Sequence, residues 1–446
     1  MSYSFAGNKF LVKSVTTAFL PARVFVPLCQ ENGVSCESVV VDGARVEEGQ
    51  VIAEPQSSSD SFYGARIHSP IPGRVLGMKS CTFPNGKCGV ALEIALAGEF
   101  SHIGKKPQKI DWKTFGKNSL LNRIGAHGVI NTFSMREPTS LAEDIHAIME
   151  TSRPRDRQAL SGAKIFVRLY DEDFSCQTDR VLANSQFDKI ISAVQILCEI
   201  ISPKEVVFAY AKNGGALIER LSGLKDEDDE RFRFVAMNHR KFPCGTKHDI
   251  VERYKKNMRL SDSEREICEE SLFVDCETLS ALYDAVVYNI PVTRVNVSVS
   301  GDCLKSSAVL KVCVGTSFKS IAEELGLAKE NVGKIIVNGN KNGFAVSSLE
   351  TPVTKYVKSV EFVSHHDTAD FSVAYCTSCG KCRASCPAQI CPDMILSHIS
   401  GVEVSAEFVR AAALCVECGL CNCVCPVKLP LFQSVKILKE RQNGNK

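Results

Sequence analysis

The 446-residue chain reads as a multidomain α/β plus β protein that closes in a cysteine-rich helical domain. Three observations predict that class. Between about residues 111 and 255, short apolar strands alternate with stretches of 3.6-residue periodicity, the pattern of a largely parallel sheet. Around residues 295–314, apolar and polar residues alternate strictly, as hairpin strands do. Towards the C-terminus, cysteines recur at fixed intervals with helical segments between them. With 44% apolar and 23% charged positions, the chain is long enough for about three or four globular domains. Its 53 basic and 51 acidic residues leave a net charge of +2, which gives no sign of a nucleic-acid partner. The first residues lack the apolar region of a signal peptide. No apolar run reaches the roughly 18 residues of a membrane span, so any work at a membrane requires a partner to hold the chain there.

In order along the chain, residues 1–110 come first, as short strands and glycine turns. The stretch Val39–Ile52, with Gly43 and Gly49, leads through a polar loop (Ser57–Asp60) to His68-Ser69-Pro70-Ile71-Pro72-Gly73. This arrangement resembles the barrel-sandwich hybrid fold of biotinyl and lipoyl domains. The loop between its halves has no lysine to modify, so a docking role is expected rather than a swinging arm, with His68 as a turn residue. Residues 111–260 form a Rossmann-like α/β domain. Its strands are Lys164–Leu169, Glu205–Tyr210 and Phe232–Met237. One helix carries Phe187, Ile190, Ile191, Val194, Leu197 and Cys198 on a single face, and a second covers Ala216–Leu221. Ligands in such sheets sit beyond the strand carboxyl ends, which singles out the loops Tyr170–Asp173 and Lys241–Gly245. Residues 261–290 read as a helical connector. In residues 291–363, Val295, Val297 and Val299 alternate with polar residues, Gly301-Asp302 turns the chain, and Leu310, Val312 and Val314 alternate again. With a helix over Ser320–Leu325 and strands near 335–337 and 360–363, this predicts a small β-grasp (SLBB-like) module.

Residues 364–446 carry the chemistry. Cys376-x2-Cys379-x2-Cys382-x3-Cys386-Pro387 is followed by Cys415-x2-Cys418-x2-Cys421-x3-Cys425-Pro426. Each run has the ferredoxin spacing for a [4Fe–4S] cluster, and the fourth cysteine of such a run ligates the other cluster. The expected sets are therefore crossed: Cys376, Cys379, Cys382 and Cys425 on one cluster, Cys386, Cys415, Cys418 and Cys421 on the other. Zinc knuckles also use four cysteines, but two complete runs, each ending in Cys-Pro, favour iron–sulfur. Helices at 392–399 and 407–415 between the runs predict a helical ferredoxin domain, and Leu431, Val435 and Leu438 mark a final amphipathic helix. The other thirteen of the 21 cysteines show no ligand spacing and read as small buried residues of a reducing compartment.

The order of modules resembles the C subunit (RnfC) of the Rnf ion-translocating electron-transport complex. Ala384-Ser385-Cys386-Pro387-Ala388, Cys425-Pro426-Val427-Lys428-Leu429-Pro430-Leu431, and Glu277-Thr278-Leu279 with Val297–Asp302 carry the resemblance. It implies a peripheral subunit on the cytoplasmic side of the inner or plasma membrane. Such a subunit works beside integral-membrane and peripheral partners that move Na⁺ or H⁺, and passes electrons between NAD(H), FMN and iron–sulfur centres.

Three stretches depart from that family. Its glycine-rich FMN/NADH loop corresponds to Gly128-Val129-Ile130-Asn131-Thr132-Phe133-Ser134-Met135-Arg136-Glu137-Pro138-Thr139, where the glycines that allow close approach to phosphate are gone. Its acidic loop survives only as Asp171-Glu172-Asp173. Asn338-Gly339-Asn340-Lys341-Asn342-Gly343 replaces a Gly-Gly-Pro-Met-Met-Gly stretch. Gly128, Asp171 and Glu172 mark what remains of a flavin site, and the losses weigh against FMN and NAD(H). The soluble carrier expected is NADH, ferredoxin or flavodoxin, the last two if the flavin site is lost. Two other readings are a soluble NAD(P)H-dependent flavin/iron–sulfur reductase of cobalamin-reductase type and a scaffold with structural clusters. The A-type subunit of the Na⁺-translocating NADH:quinone reductase shares the first two domains but lacks paired cluster runs.

Overall fold

A computed structural model describes residues 12–31, 34–56, 64–151, 163–226, 230–238, 244–259, 271–341, 343–365, 375–399 and 405–443. The polar loop Ser57–Asp60, the residues Lys241, Phe242 and Pro243 of one expected ligand loop, and the acidic start of the connector at 260–270 lie outside the described residues.

The N-terminal part is a sandwich of two antiparallel sheets. Strands Arg23–Pro27, Cys88–Leu96, Gly73–Thr82 and Arg45–Val46 form one, and Cys36–Ser38, Val51–Pro55 and Ile67–His68 the other. Val24, Val26, Ile52, Ile67, Val75, Leu92 and Ile94 fill the space between them. His68 is a buried strand residue and not a turn residue; the turn falls on the Ser69–Pro72 segment that follows. The first strand of the chain, Val15–Thr17, takes no part in this sandwich. It pairs in parallel with Ala308–Cys313, almost 300 residues away.

The α/β part holds a four-stranded parallel sheet in the order Phe232–Met237, Glu205–Ala211, Lys164–Arg168, Leu272–Asp275. The two strands Lys164–Arg168 and Leu272–Asp275 are buried along their whole length, as expected of a parallel sheet covered on both faces. The predicted apolar face of helix Phe187–Ile201 is buried in full. Leu272–Asp275 corrects the expectation of an uninterrupted helical connector. The chain runs as a strand there, and Asp275 then caps helix Cys276–Val287 by accepting the Thr278 amide at 2.9 Å.

A six-stranded mixed sheet follows, in the order Val15–Thr17, Ala308–Cys313, Arg294–Ser300, Ser359–Ser364, Val332–Val337, Phe344–Val346. Alternation along Arg294–Ser300 separates its two faces, but both are covered. Val295, Val297 and Val299 enter the core, while the polar face lies against the α/β part. There the buried Glu277 accepts from the Asn296 amide at 3.0 Å and its side chain at 2.8 Å, and Ser298 donates to Thr178 Oγ1 at 3.1 Å. The Glu277-Thr278-Leu279 and Val297–Asp302 stretches are thus two sides of one joint.

A buried charge cluster reinforces this joint. Lys358 Nζ donates to Asp275 at 2.8 Å and to Asp179, and the fully buried Arg168 lies 4.0 Å from Asp275. Burial pushes Asp275 up, but Lys358 and Arg168 outweigh it and hold the carboxyl down at about 2. Asp179 is pushed up by burial, to about 8.

The C-terminal part consists of short helices, Lys381–Ser385, Pro392–His398, Ala406–Ala413 and Leu420–Val424, and the longer Leu431–Asn443. Leu431, Val435 and Leu438 face inwards as their spacing predicts, against Ile390, Ile395, Ala412 and the cysteine segments. Among the described residues, no helix is long and apolar enough to cross a membrane.

Candidate functional site

The two cysteine runs fold as backbone twins. In each, a residue between the first two cysteines takes a left-handed conformation, Ser378 at φ 52° and Glu417 at φ 56°. Each turns its N–H onto the preceding sulfur, with Ser378 N donating to Cys376 Sγ and Glu417 N to Cys415 Sγ, both at 3.4 Å. Gly380 and Gly419, at φ 69° and 72°, then open the helices Lys381–Ser385 and Leu420–Val424 that carry the third cysteines. Gln389 and Lys428 repeat the left-handed turn after each Cys-Pro.

The helices Lys381–Ser385 and Leu420–Val424 pack against each other, which carries the last cysteine of each run towards the other run. Cys376, Cys379, Cys382 and Cys425 line one small cavity, walled by Val427, Leu429 and Leu431. Cys415, Cys418, Cys421 and Cys386 lie close enough that the thiols of Cys418 and Cys421 feel the other members of that set. Burial pushes Cys418 up to about 12, and iron must displace that proton to bind. The donor set fits two cubanes: four sulfurs per group, apolar walls, and backbone N–H groups aimed at sulfur. Among the described residues, no three His, Cys, Asp or Glu side chains converge as ligands of a single ion. A cubane makes a different demand, since each thiolate binds its own iron at a separate corner. The first set meets solvent through the exposed Cys376 and Cys379, whereas Cys418 of the second is buried.

Beside the second set lies a cleft of about 680 Å³, a volume typical of ligand sites. Residues of all three altered stretches line it: Asn131, Phe133–Glu137 and Thr139 from the first, Glu172 from the second, Asn338 and Gly343 from the third. Cys415, Val416 and Glu417 line it from the cysteine part. Three backbone amides of its first stretch are already bonded within the protein. The Thr132 amide donates to Thr278 Oγ1 at 2.9 Å, the Phe133 amide to Asn131 Oδ1 at 3.1 Å, and the Glu137 amide to the Ser134 carbonyl at 3.2 Å. The Phe133 ring is buried, 4.2 Å below the Arg168 guanidinium and 5.4 Å from Phe273. Arg168 in turn donates to the Phe133 carbonyl at 3.0 Å and to Glu172 at 3.3 Å.

Of the three residues read as the remnant of a flavin site, only Glu172 reaches the cleft. Asp171 caps helix Thr178–Ser185, accepting the amides of Asp179 and Arg180 at 3.0 Å each. Asp173 accepts the Lys341 amide at 2.8 Å and so ties the acidic loop to the third altered stretch. Gly128, at φ 69°, is required by packing, because a Cβ there would strike the Arg66 carbonyl oxygen and the Lys355 ammonium. The sequence did not point to Arg136, Glu417 or Lys439, which bridge the first altered stretch and the second cysteine set.

Residues 8–99 match the RnfC barrel sandwich hybrid domain family. Over 395 residues, 86% of its length, the chain is 27% identical to the C subunit of the proton-translocating ferredoxin:NAD(+) oxidoreductase complex of Clostridium ljungdahlii, covering 80% of that protein. The chain is thus similar to C subunits of such complexes over most of its length. It is also 24% identical to the C subunits of the ion-translocating oxidoreductase complexes of Rhodobacter capsulatus, covering 96% of this chain and 80% of that one, and of Pseudomonas aeruginosa, covering 85% and 47%. The chain spans about half the length of the Pseudomonas relative. Among solved structures, a chain of NAD+-reducing [NiFe]-hydrogenase superposes with a TM-score of 0.44 at 12% identity, covering 76% of this chain and 64% of that one. That likeness is too loose to argue from.

Proposed function

We propose that this chain is the peripheral iron–sulfur electron-transfer subunit of an Rnf-type, membrane-bound, ion-translocating oxidoreductase complex. It joins a soluble carrier to the membrane subunits from the cytoplasmic side. The observation that supports this best is the gathering of eight cysteines into two crossed sets on twinned backbone turns. When bound there, two [4Fe–4S] clusters exchange electrons one at a time. The chain's own part is to hold the eight sulfurs, aim N–H groups at them, and wall them with Val427, Leu429 and Leu431. On this reading the parallel sheet is the Rossmann-like domain, the mixed sheet is the β-grasp module, and the short helices are the ferredoxin domain. The residues around the cleft do not suit FMN or NAD(H), so ferredoxin or flavodoxin is the carrier this reading favours.

The test is anaerobic reconstitution of the full chain, followed by iron, sulfide and flavin counts with NADH addition. About eight irons per chain are expected for two cubanes, with no stoichiometric flavin and no cluster reduction by NADH. One tightly held FMN per chain with NADH-driven cluster reduction would make this an NADH-linked subunit. Fewer than about four irons would sink the relay.

A further inference from the structure

The twin cysteine turns differ in charge. At the turn of the first run stands Ser378; at the matching place in the second stands Glu417. Glu417 is held from two sides. Its Oε2 accepts from Arg136 Nη1 at 3.0 Å, and its Oε1 from Lys439 Nζ at 2.7 Å. The same Lys439 ammonium donates to the Cys415 carbonyl at 3.1 Å. Arg136 also lies over the Phe432 ring, 4.8 Å from its centroid, which fixes the guanidinium against the last helix. The side chains of Arg136 and Glu417 are 14% and 21% exposed, so salt screens them less than surface charges.

We propose that Arg136 is a positioning residue for the second cysteine set. Acting through Glu417, it holds the turn between Cys415 and Cys418 and, with Lys439, sets the reduction potential of the cluster carried there. The proposal rests on the iron–sulfur reading given above. Reduction adds one electron to a cluster, with no bond made and no proton moved. A cation held nearby favours that form, and an unpaired carboxylate opposes it. Net charge and hydrogen bonds to sulfur are the levers by which a protein moves such potentials. The first altered stretch, unsuited to phosphate, thus serves as a clamp on a metal centre.

The experiment is a potentiometric titration of the anaerobically reconstituted full chain, following both clusters by electron paramagnetic resonance. Arg136→Gln is expected to move one of the two midpoint potentials to a more negative value and leave the other in place. Glu417→Gln is expected to move the same potential the opposite way, and Arg136→Lys to stay near the parent. Simple loosening of the domain would not produce shifts of opposite sign at a single cluster. If Arg136→Gln takes up less iron, Glu417→Gln and Arg136→Lys still carry the sign test. Full iron content with both potentials unmoved overturns the proposal alone, as do shifts of the same sign in the two glutamine variants. A parent chain that takes up no iron overturns the iron–sulfur reading itself.

Discussion

Truncating Phe133 to alanine tests whether the altered stretch is a structural plug or a movable gate. The ring is 3% exposed, with the Arg168 guanidinium 4.2 Å from its centroid and Phe273 5.4 Å away. A buried Phe→Ala change costs roughly 3–5 kcal/mol through lost transfer energy and the void left behind. The upper half of that range is expected here. A desolvated cation–π contact worth about 2 kcal/mol goes with the ring, and the Arg168 Nε already lacks an acceptor among the described residues. A chain of several parts does not unfold in one step, so a melting curve does not isolate these strands. Native-state hydrogen exchange on the full chain reads the local opening energy of strands Lys164–Arg168 and Leu272–Asp275, which flank the ring. A loss of about 4 kcal/mol lowers protection there roughly a thousandfold. A fall of less than about tenfold would refute the plug, because a ring that swings freely over a cleft contributes little to the strands beneath it.

Lys358→Met should be among the most damaging single changes, costing roughly 3–5 kcal/mol because Asp179 and Asp275 would face each other unpaired in the interior. Adding Asp179→Asn should recover part of that loss in calorimetry; no recovery would argue that Lys358 acts by shape alone. His68 gives a pH signature. Burial first, then Lys355 and His127, push its imidazole down to about 3, so the native barrel holds the ring neutral. Stability from this group is complete above pH 6.5 and is lost as pH falls from there towards about 3, by at most roughly 4–5 kcal/mol. His68→Asn should flatten that limb of the thermal stability curve, and an unchanged slope would remove His68 as its source. Gly128→Ala should destabilise the junction of barrel and α/β part by more than about 1 kcal/mol, because its positive φ and the crowding by Arg66 both oppose a side chain. A neutral result in thermal shift would mean that this junction has slack.

What was legible in the sequence was local. The inward faces of helices Phe187–Ile201 and Leu431–Asn443 followed from spacing alone, as did strand Phe232–Met237 with its bounds. The spacing of the two cysteine runs also singled out the segments whose turns repeat each other, Ser378 with Glu417 and Gln389 with Lys428. The misses are long-range or unusually short. Val15–Thr17 is three residues with no period to detect, and its partner lies almost 300 residues away. Leu272–Asp275 is a four-residue strand of three apolar residues and an aspartate, joined directly to a helix; the capping residue Asp275, three before Thr278, was the available signal. The bridge from Arg136 to Glu417 spans 281 positions and leaves no local pattern. The stretches at 128–139, 171–173 and 338–343 stood out in the sequence only through a resemblance, and the contacts that tie them together had no local signal.

The three altered stretches hold one another, and this decides what the cleft can do. Arg168 joins the Phe133 carbonyl to Glu172, while Asp173 joins the acidic loop to Lys341, and Asn340 N donates to Ser175 Oγ at 3.1 Å. A phosphate seated on the first stretch would have to take the amides of Thr132 and Phe133 from their present acceptors and displace the ring. Orphaning buried polar groups costs roughly 1–3 kcal/mol each, and evicting a buried aromatic ring about 3–5 kcal/mol. Together these approach or exceed the roughly 8 kcal/mol that a micromolar ligand gains on binding. Restoring a glycine at Phe133 would remove the ring but leave the amides bonded where they are, since their acceptors, Thr278 and Asn131, lie at other positions. Further along the same stretch, Arg136 is fixed against the cysteine turn by Glu417 and the Phe432 ring.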